Sequence, residues 1–301
     1  MDTIDRMIGS YSNGNYKVQI FEDGTKIRTS DSSSFNAEFP ECIDIKITNK
    51  CDLGCSWCHE NSTFDGEHAD LDNIPFIDSL RPFTELAIGG GNPIDHPGLQ
   101  SFLSRLRKRK IIANITVNQK HFKENYAWIR ALQFCGLLHG IGVSLSDSSD
   151  AEFRGLLSYT PNSVLHVING LFSIEDIKNL RRTNTKILIL GYKRFGRGES
   201  FFNAQELQIM TDNAIATRRL IESAAMTKIF PVVSFDNLAL DQLKIKDFMP
   251  KEDWDKFFMG DDGKFTMYID MVKRQFARCS VSNKRMPIGE DIVDMFNAVN
   301  I

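Results

Sequence analysis

The 301-residue chain has little of several features that would fix its class at once. Its six cysteines are too few for a small secreted domain held together by disulfides. Its formal net charge of -3 excludes the strongly basic surface that binds bulk nucleic acid. No segment approaches the roughly 18 apolar residues needed to cross a bilayer, and the first residues lack the basic start and apolar core of a signal peptide. We therefore expect a cytoplasmic protein with no membrane partner. No feature of the sequence indicates an oligomeric state.

Three of the cysteines lie in one short segment, Cys51-Asp-Leu-Gly-Cys55-Ser-Trp-Cys58. Thiolates this close together suit a soft metal centre such as an iron–sulfur cluster. A cubane cluster has four iron corners, so the C-x3-C-x2-C spacing leaves one iron open to a small chelating molecule. Gly54 and Trp57 favour a tight, partly covered loop. The alternatives are a zinc site completed by His59 or Cys279, and buried thiols without a metal.

Strand and helix patterns alternate through most of the chain. Residues 16–28 alternate around Asp23-Gly24 and predict an N-terminal β-hairpin. Six βα units then predict a parallel sheet, with strands at 42–48, 84–89, 112–117, 140–145, 163–168 and 186–191. Beyond residue 226 we expect a strand at 229–235, helices near 237–245, 251–259 and 289–299, and a hairpin over 265–279. The predicted organisation is a hairpin and connector (1–40), a main α/β domain (41–225) and a small α+β C-terminal cap (226–301).

With a predicted strand just before it, the cysteine segment resembles the cluster loop of the radical S-adenosylmethionine (SAM) superfamily. That family has an open (β/α)6 partial TIM-like barrel, and its CxxxCxxC loop follows the first strand with an aromatic residue before the third cysteine. The resemblance implies that Cys51, Cys55 and Cys58 bind a single [4Fe-4S] cluster, with Trp57 beside the cofactors. SAM would chelate the open iron. An electron from a donor such as flavodoxin or ferredoxin would then yield a 5'-deoxyadenosyl radical, which abstracts a hydrogen atom from the substrate.

Contacts to SAM are expected at the C-terminal ends of the strands, where barrel enzymes carry their function. The second strand ends in Gly89-Gly90-Gly91-Asn92-Pro93, and the last four residues resemble the family's Gly-Gly-Glu-Pro-like motif for the amino group of SAM. Asn92 replaces the usual glutamate, so it accepts from an ammonium without charge assistance. The alternative is a glycine-rich turn with no ligand. The ends of later strands supply further candidates for the ribose, carboxylate or adenine of SAM: Asn118, Ser144, Ser146, Asn169 and Tyr192. Serines at such positions also cap helices.

The candidate substrate contacts are less specific. Lys193, Arg194 and Arg197 follow the sixth strand and suit a carboxylate or phosphate, or form a solvated loop. Late strand ends and the last hairpin add Asp236, Asn237, Tyr268 and Asp270, which equally suit turn caps.

Cys279 is a candidate hydrogen donor to a substrate radical, against the alternative of a plain buried thiol. Only Cys42 and Cys135 remain, which argues against an auxiliary cluster. The leading hypothesis is radical modification or epimerisation of a peptide or similar substrate. The alternatives are a nucleotide or nucleic-acid base, with residues 105–110 helping to hold phosphate, and a non-catalytic iron–sulfur or zinc protein.

Overall fold

The computed structural model describes residues 6–202 and 204–300, and its chain starts with a three-stranded antiparallel meander. Its strands are β1 (Met7–Asn13), β2 (Tyr16–Phe21) and β3 (Lys26–Thr29). The pairing of β2 with β3 confirms the predicted hairpin around Asp23-Gly24. Strand β1 was not predicted, because its glycine and serines give no clear alternation of apolar and polar residues.

A ten-stranded mixed sheet follows. Its strands are β4 (Cys42–Thr48), β5 (Glu85–Gly90), β6 (Ile112–Asn118), β7 (Gly140–Ser144), β8 (Ser163–Ile168), β9 (Lys186–Leu190), β10 (Val233–Phe235), β11 (Thr266–Asp270), β12 (Gln275–Ala277) and β13 (Met286–Pro287). The order across the sheet is β10-β9-β8-β7-β6-β5-β4-β11-β12-β13. All pairs from β10 to β11 are parallel, and β12 and β13 add antiparallel strands. The six predicted strands of the parallel sheet are confirmed as β4 to β9.

Further differences from the predictions lie in the last third of the chain. Strand β10 is shorter than the predicted strand 229–235, because Ile229 ends a 3-10 turn at Met226–Lys228 and Pro231 follows. The predicted hairpin over 265–279 is confirmed as β11 and β12. Its first strand also pairs with β4 and so extends the main sheet.

Ten α-helices occur among the described residues. They are α1 (Leu99–Lys108), α2 (Gln119–Glu124), α3 (Tyr126–Phe134), α4 (Ala151–Ser158), α5 (Ile174–Leu180), α6 (Arg197–Phe201), α7 (Ala204–Glu222), α8 (Asn237–Gln242), α9 (Lys251–Phe257) and α10 (Ile292–Val299). Further 3-10 turns lie at Ile77–Ser79, Pro93–Asp95 and Ile245–Asp247. No described helix has both the length and the apolar character that a membrane crossing requires.

The two faces of the sheet differ in polarity. Side chains alternate between faces along a strand, and in β4 the isoleucines Ile43, Ile45 and Ile47 are buried in the main apolar core. Apolar side chains of α1, α3, α4, α5 and α10 belong to the same core. The intervening positions carry Asp44 and Lys46 in β4 and continue as asparagine, threonine, serine and histidine in β6 to β8. The second face is therefore the one that can receive a polar ligand.

The turn between β2 and β3 contacts the N-terminal ends of strands that lie far apart in the sheet. Lys26 pairs with Glu85 at the start of β5 (2.9 Å), whereas the carbonyl oxygen of Asp23 accepts from Lys186 Nζ at the start of β9 (2.6 Å). Asp23 and Lys26 are only three residues apart, so both contacts form more readily if the sheet curves and brings the starts of β5 and β9 closer together. No pairing joins β10 to β13 among the described residues, so the sheet is not closed. The partial barrel and the domain boundaries stay predictions.

Candidate functional site

The cysteine loop, residues 51–58, begins directly beyond the C-terminal end of β4. The N–H of Cys51 donates to the carbonyl of Thr63 (2.8 Å), and the N–H of Cys58 donates to the carbonyl of Cys55 (3.2 Å). Gly54 turns the chain with a φ of 59°, a conformation that glycine adopts at little cost. All three cysteines are free and partly buried. Burial raises the pKa of the Cys51 and Cys55 thiols, so a bound cation is what would hold them as thiolates.

The Sγ atoms of Cys51, Cys55 and Cys58 are not all within 4.8 Å of one another. Among the described residues, the group of three potential ligand atoms within 4.8 Å of one another is Cys51, Asp52 and His121. In that group His121 Nε2 lies 2.6 Å from Asp52 Oδ1, and Lys120 Nζ donates to the other oxygen at 3.2 Å. A cubane distributes its thiolates over separate irons, whereas the thiolates of a zinc site share one ion.

The glycine-rich segment after β5 lies against the chain that enters the cysteine loop. The N–H of Gly91 donates to the carbonyl of Thr48 (2.8 Å), and the N–H of Asn92 donates to the carbonyl of Lys50 (2.7 Å). A Cβ at Gly90 or Gly91 would collide with these same carbonyl oxygens, and the φ of Gly90 is 117°. The glycines therefore permit two backbones to touch immediately before the first cysteine.

Gly89 differs from its neighbours, because a Cβ there would meet nothing within 4 Å. Open space thus lies above this residue, next to the cysteine loop. The side-chain oxygen of Asn92 accepts from the N–H of Ile94 (3.3 Å) and caps the 3-10 turn that starts at the buried Pro93. Contact between Asn92 and the amino group of SAM stays a prediction.

Arg197 bonds the cysteine loop from the other side. Its Nε donates to the carbonyl of Cys55 (2.9 Å), and its Nη1 donates to the carbonyl of Ser62 (2.9 Å). Its own N–H donates to the carbonyl of Cys58 (3.1 Å). The sequence predicts Arg197 as a substrate contact. In the structure its hydrogen bonds hold the loop that carries the cysteines.

Asn118, Ser144 and an unpredicted residue, His166, lie in one row across β6, β7 and β8. Asn118 caps α2 through its side-chain oxygen and donates to Ser146 Oγ (2.8 Å). A Cβ at Gly142 would collide with the His166 ring, so glycine makes room for it. The imidazole makes no side-chain hydrogen bond within the described part of the chain. Burial, with the charge of Lys193, lowers the pKa of His166 to about 4, so the ring is neutral at pH 7.

The ends of β8 and β9 are joined by one amide side chain. Gln242 accepts from the N–H of Tyr192 (2.9 Å), donates to its carbonyl (2.9 Å) and accepts from Asn169 Nδ2 (3.1 Å). The side-chain oxygen of Asn169 is buried without a partner within the described residues, and such an acceptor marks a place for a donor from a ligand or water. Contact between Tyr192 and the adenine edge stays a prediction.

Trp57 lines a small cavity of about 90 Å³ between the cysteine loop and the ends of β7 and β8. Its ring lies edge-on to Phe201 at a centroid distance of 5.9 Å. The other apolar side chains of this cavity are Leu145, Val167, Ile168, Leu171 and Phe172, with Ser146 and Asp176 as polar members. A flat apolar group with a few polar atoms suits such a lining.

A larger cavity, of about 380 Å³, opens on the other side of the cysteine loop. It combines residues after the third cysteine with β4, β11 and the segment 280–285. At its base Lys46 Nζ pairs with Glu60 (2.6 Å) and lies 3.6 Å from Asp270. Tyr268 donates to the second oxygen of Glu60 (3.4 Å). The structure thus brings Tyr268 and Asp270, both predicted from the sequence, into one polar cavity beside the cysteines.

Other predicted substrate contacts make structural bonds. Asp236 caps α8 and accepts from the N–H groups of Gly191 and Ala239 (2.8 and 2.7 Å). Asn237 donates to Asp262 (2.7 Å), and burial, together with the nearby Asp262 carboxylate, raises the pKa of the Cys279 thiol. Cys279 is not among the residues that line the larger cavity.

Two of the three basic residues after β9, Lys193 and Arg194, make their side-chain contacts outside the cysteine loop. Arg194 is exposed and stacks over the ring of Phe202 at 3.8 Å. Lys193 donates to Ser280 Oγ (2.9 Å), and its charge acts on both Asp44 and His166. Although the Asp44 side chain is accessible from the polar face, desolvation by the surrounding protein raises its pKa to about 6 against that charge. Lys193 therefore lies within electrostatic reach of the polar face of the sheet.

Sequence reasoning missed Glu60, Lys46 and Arg285 as members of the larger cavity, and His166 as a member of the polar face. A signal was available for two of them. A charged residue at position 46 and a histidine at position 166 interrupt otherwise apolar strands at the alternate positions that face away from the core. Arg285 gave no comparable signal, because it lies in an irregular segment that the fold brings to β11.

No family model and no curated protein matches the chain. Among solved structures, it is similar to Streptococcus suis SuiB, with a TM-score of 0.59 at 14% identity over 98% of this chain and 88% of that chain. SuiB bound to S-adenosylmethionine gives 0.54 at 12% identity, over 96% and 88%. SuiB bound to precursor peptide SuiA gives 0.54 at 15% identity, over 87% of this chain and 65% of that chain. The chain therefore has the fold of SuiB, a mixed α/β architecture with a large parallel sheet.

Proposed function

We propose that this protein is a radical SAM enzyme that holds one [4Fe-4S] cluster on Cys51, Cys55 and Cys58 and acts on a peptide or similarly sized substrate. The cysteine loop carries this proposal, because it offers three free thiols at the end of a central parallel strand. SuiB, which has the same fold, binds SAM and a precursor peptide. When bound, the cluster would pass an electron from an external donor such as flavodoxin or ferredoxin to SAM, yielding a 5'-deoxyadenosyl radical that abstracts hydrogen from the substrate.

The chain's own residues would bind and orient the cofactor. The open space at Gly89 and the backbone of Gly90 and Gly91 would receive the methionine part of SAM, beside the three cysteines. The apolar cavity at Trp57 would take the adenine ring, as a flat group requires. Polar groups of the row at Asn118 and Ser144 would bond the ribose.

The larger cavity would hold the substrate near the cluster, with Tyr268 and Asp270 as contacts. A nucleotide substrate is less well supported, because three of the cations that could hold phosphate are bonded within the protein. Arg197 bonds the cysteine loop, and Arg105 donates to the carbonyl of Leu71 (2.6 Å). Arg109 forms an ion pair with Asp78.

The decisive experiment is anaerobic reconstitution with iron and sulfide, followed by reduction with dithionite in the presence of SAM. We expect close to four irons per chain and formation of 5'-deoxyadenosine detected by mass spectrometry. Cys51→Ala, Cys55→Ala and Cys58→Ala should each abolish both the cluster absorbance and the product.

The matched control is Cys135→Ala, because Cys135 is a free and exposed thiol remote in sequence from the loop. It should reconstitute and cleave SAM like the wild type. A reconstituted protein that forms no 5'-deoxyadenosine, with or without candidate peptides, would show that the proposal is wrong. A single tightly bound zinc per chain in place of iron would favour the non-catalytic alternative.

Hydrogen donation by Cys279 stays a separate prediction. In deuterated solvent, a thiol donor would introduce deuterium into the product, and Cys279→Ala would remove that label. Unchanged labelling in the variant would reject the role.

A further inference from the structure

The larger cavity has an excess of positive charge that its own residues do not neutralise. Its two carboxylates, Glu60 and Asp270, are already bonded. Glu60 receives Lys46 at 2.6 Å and Tyr268 at 3.4 Å. Asp270 accepts from the N–H of Lys273 (2.9 Å) and lies 3.6 Å from Lys46. Lys46 is therefore fully committed to these two acids.

Two further cations line the same cavity, Lys273 and Arg285. Neither has a carboxylate within 4 Å in the described part of the chain, whereas Lys46 has two, those of Glu60 and Asp270. The lining also contains His59, whose Nε2 lies 3.4 Å from Glu60. With three lysine and arginine cations against two carboxylates, the cavity holds one positive charge more than it can pair internally. A ligand of opposite charge would complete the set.

Arg285 is also held in position before any ligand arrives. Its guanidinium lies 4.9 Å above the ring of Tyr268, and one of its nitrogens, Nη2, donates to the carbonyl of Ser280 (2.5 Å). The side chain is half-buried, so its remaining N–H groups face a limited space. A planar guanidinium fixed in this way binds a carboxylate with two parallel hydrogen bonds at little further entropic cost.

We infer that the larger cavity is a site for an acidic side chain, glutamate or aspartate, of the peptide substrate, with Arg285 as the bidentate partner and Lys273 as the flanking cation. The inference rests on the proposed function for the statement that the ligand is a substrate. The rest of the lining fits a peptide, since Asn61, Gln275 and Asn283 offer amides that can both donate and accept. A cavity of about 380 Å³ accommodates a few residues.

The test uses the reconstituted full chain and three fluorescein-labelled hexapeptides with blocked ends. They share a Gly/Ser/Ala background and differ at two central positions, which are Glu, Gln or Lys. Fluorescence anisotropy should show the Glu peptide binding about tenfold more tightly than the Gln peptide, and the preference should weaken as salt is added. The Lys peptide should bind most weakly.

Arg285→Gln should remove the preference for the Glu peptide, whereas Lys284→Gln should keep it, because Lys284 is the exposed neighbour that does not line the cavity. Circular dichroism and cluster absorbance check that the variants fold. Lys273→Glu supplies a second test at an exposed position, where loss of folding is not expected, and it should invert the order of the Glu and Lys peptides.

Equal binding of the three peptides, or tighter binding of the Lys peptide, would overturn the inference. Tighter binding of a short single-stranded RNA than of the Glu peptide would overturn it in favour of a nucleotide substrate. Formation of 5'-deoxyadenosine by the same wild-type preparation is measured in parallel. Cleavage of SAM with no peptide preference defeats this inference alone. A peptide preference without SAM cleavage defeats the proposed function and leaves an acidic-peptide site.

Discussion

The two ends of the parallel strands use charge in opposite ways. At the N-terminal end, Glu41 is almost fully buried and completely bonded: Arg28 donates to both of its oxygens (2.7 and 3.0 Å), Tyr16 donates to one (2.6 Å), and Lys26 lies at 3.4 Å. The same lysine pairs with Glu85 (2.9 Å). This network joins the meander to the first two strands of the sheet, and beside it the hydroxyl of Tyr11 is buried without a hydrogen-bond partner among the described residues.

The C-terminal end carries groups of the kinds that bond a ligand. The three loop thiols are free, the oxygen of Asn169 is buried without a partner in the described residues, and the cations of the larger cavity exceed its acids. An unpaired buried polar group costs free energy in the empty protein. The N-terminal network ties the meander to the sheet, whereas the proposed function places the ligands at the C-terminal ends of the strands.

The largest effect that would sharpen this contrast is expected at Glu41. Glu41→Gln leaves Arg28 and Lys26 buried beside a neutral amide, and removal of one partner of a buried ion pair typically costs about 3 to 5 kcal/mol of unfolding free energy. Urea denaturation at pH 7 measures the loss. Iron content per folded molecule should not change, because the substitution lies at the opposite end of the strands from the cysteines.

The control for this substitution is Glu38→Gln, whose side chain is exposed and nearby in sequence, and whose unfolding free energy should stay within about 0.5 kcal/mol of wild type. A Glu41 variant that folds normally but loses its iron would break the comparison, since it would place function at both ends.

Alanine substitutions at two neighbouring glycines, Gly89 and Gly90 at the C-terminal end of β5, should affect different quantities: SAM binding in one case and the unfolding free energy in the other. Gly90→Ala introduces a side chain at a φ of 117° and against the carbonyl of Thr48, and such strain costs about 1 to 3 kcal/mol. Gly89→Ala meets no atom within 4 Å, so its unfolding free energy should change by less than about 0.5 kcal/mol. Its new methyl group would enter the space assigned to SAM and weaken SAM binding about tenfold.

Urea denaturation and equilibrium dialysis with labelled SAM measure the two quantities separately. If Gly89→Ala binds SAM with wild-type affinity, the cofactor does not lie above this residue and the assigned position is wrong.

Local patterns in the sequence were sufficient for the six central strands and for the position of the cysteine segment after the first of them. The apolar alternation of Ile43, Ile45 and Ile47 identifies a strand with one core face, and the spacing of the cysteines is itself the signal for a metal centre. The addition of β11 to the sheet was not predictable in this way, because parallel pairing between residues 42 and 266 depends on contacts very distant in sequence.

The same limit applies to the site. Arg197 stands in a basic segment that suggests ligand binding, yet its bonds to the carbonyls of Cys55 and Ser62 exist only when two distant loops meet. Arg285 gave no signal at all, because its value for binding comes from the ring of Tyr268 beneath it. Residue type predicted which groups can bond a ligand, and tertiary contacts decided which of them remain available.

A smaller effect is expected when the cysteine loop loses its bonds to Arg197. In Arg197→Lys a single ammonium cannot reach both carbonyls with the guanidinium geometry, so we expect a loss of about 1 kcal/mol, or roughly fivefold faster release of iron to a chelator. Arg194→Lys is the control, since Arg194 is exposed and contacts Phe202 instead. Equal iron release from both variants would show that Arg197 does not hold the loop.

The smallest effect concerns how the stabilisation by the N-terminal network of Glu41, measured as unfolding free energy, depends on pH. Burial alone would raise the pKa of Glu41, but the hydrogen bonds and charge of Arg28 and the charge of Lys26 outweigh it, so the pKa is lowered in the folded protein. A lowered pKa contributes stability that is fully present above the unfolded value of about 4.3 and is lost as the pH falls through the folded value. The difference in unfolding free energy between wild type and Glu41→Gln should therefore be constant from pH 7 to pH 5 and shrink below about pH 4.3. Urea denaturation across this range measures it, and a difference that stays constant down to pH 3 would mean that the network stabilises the N-terminal end through packing and not through the charge of Glu41.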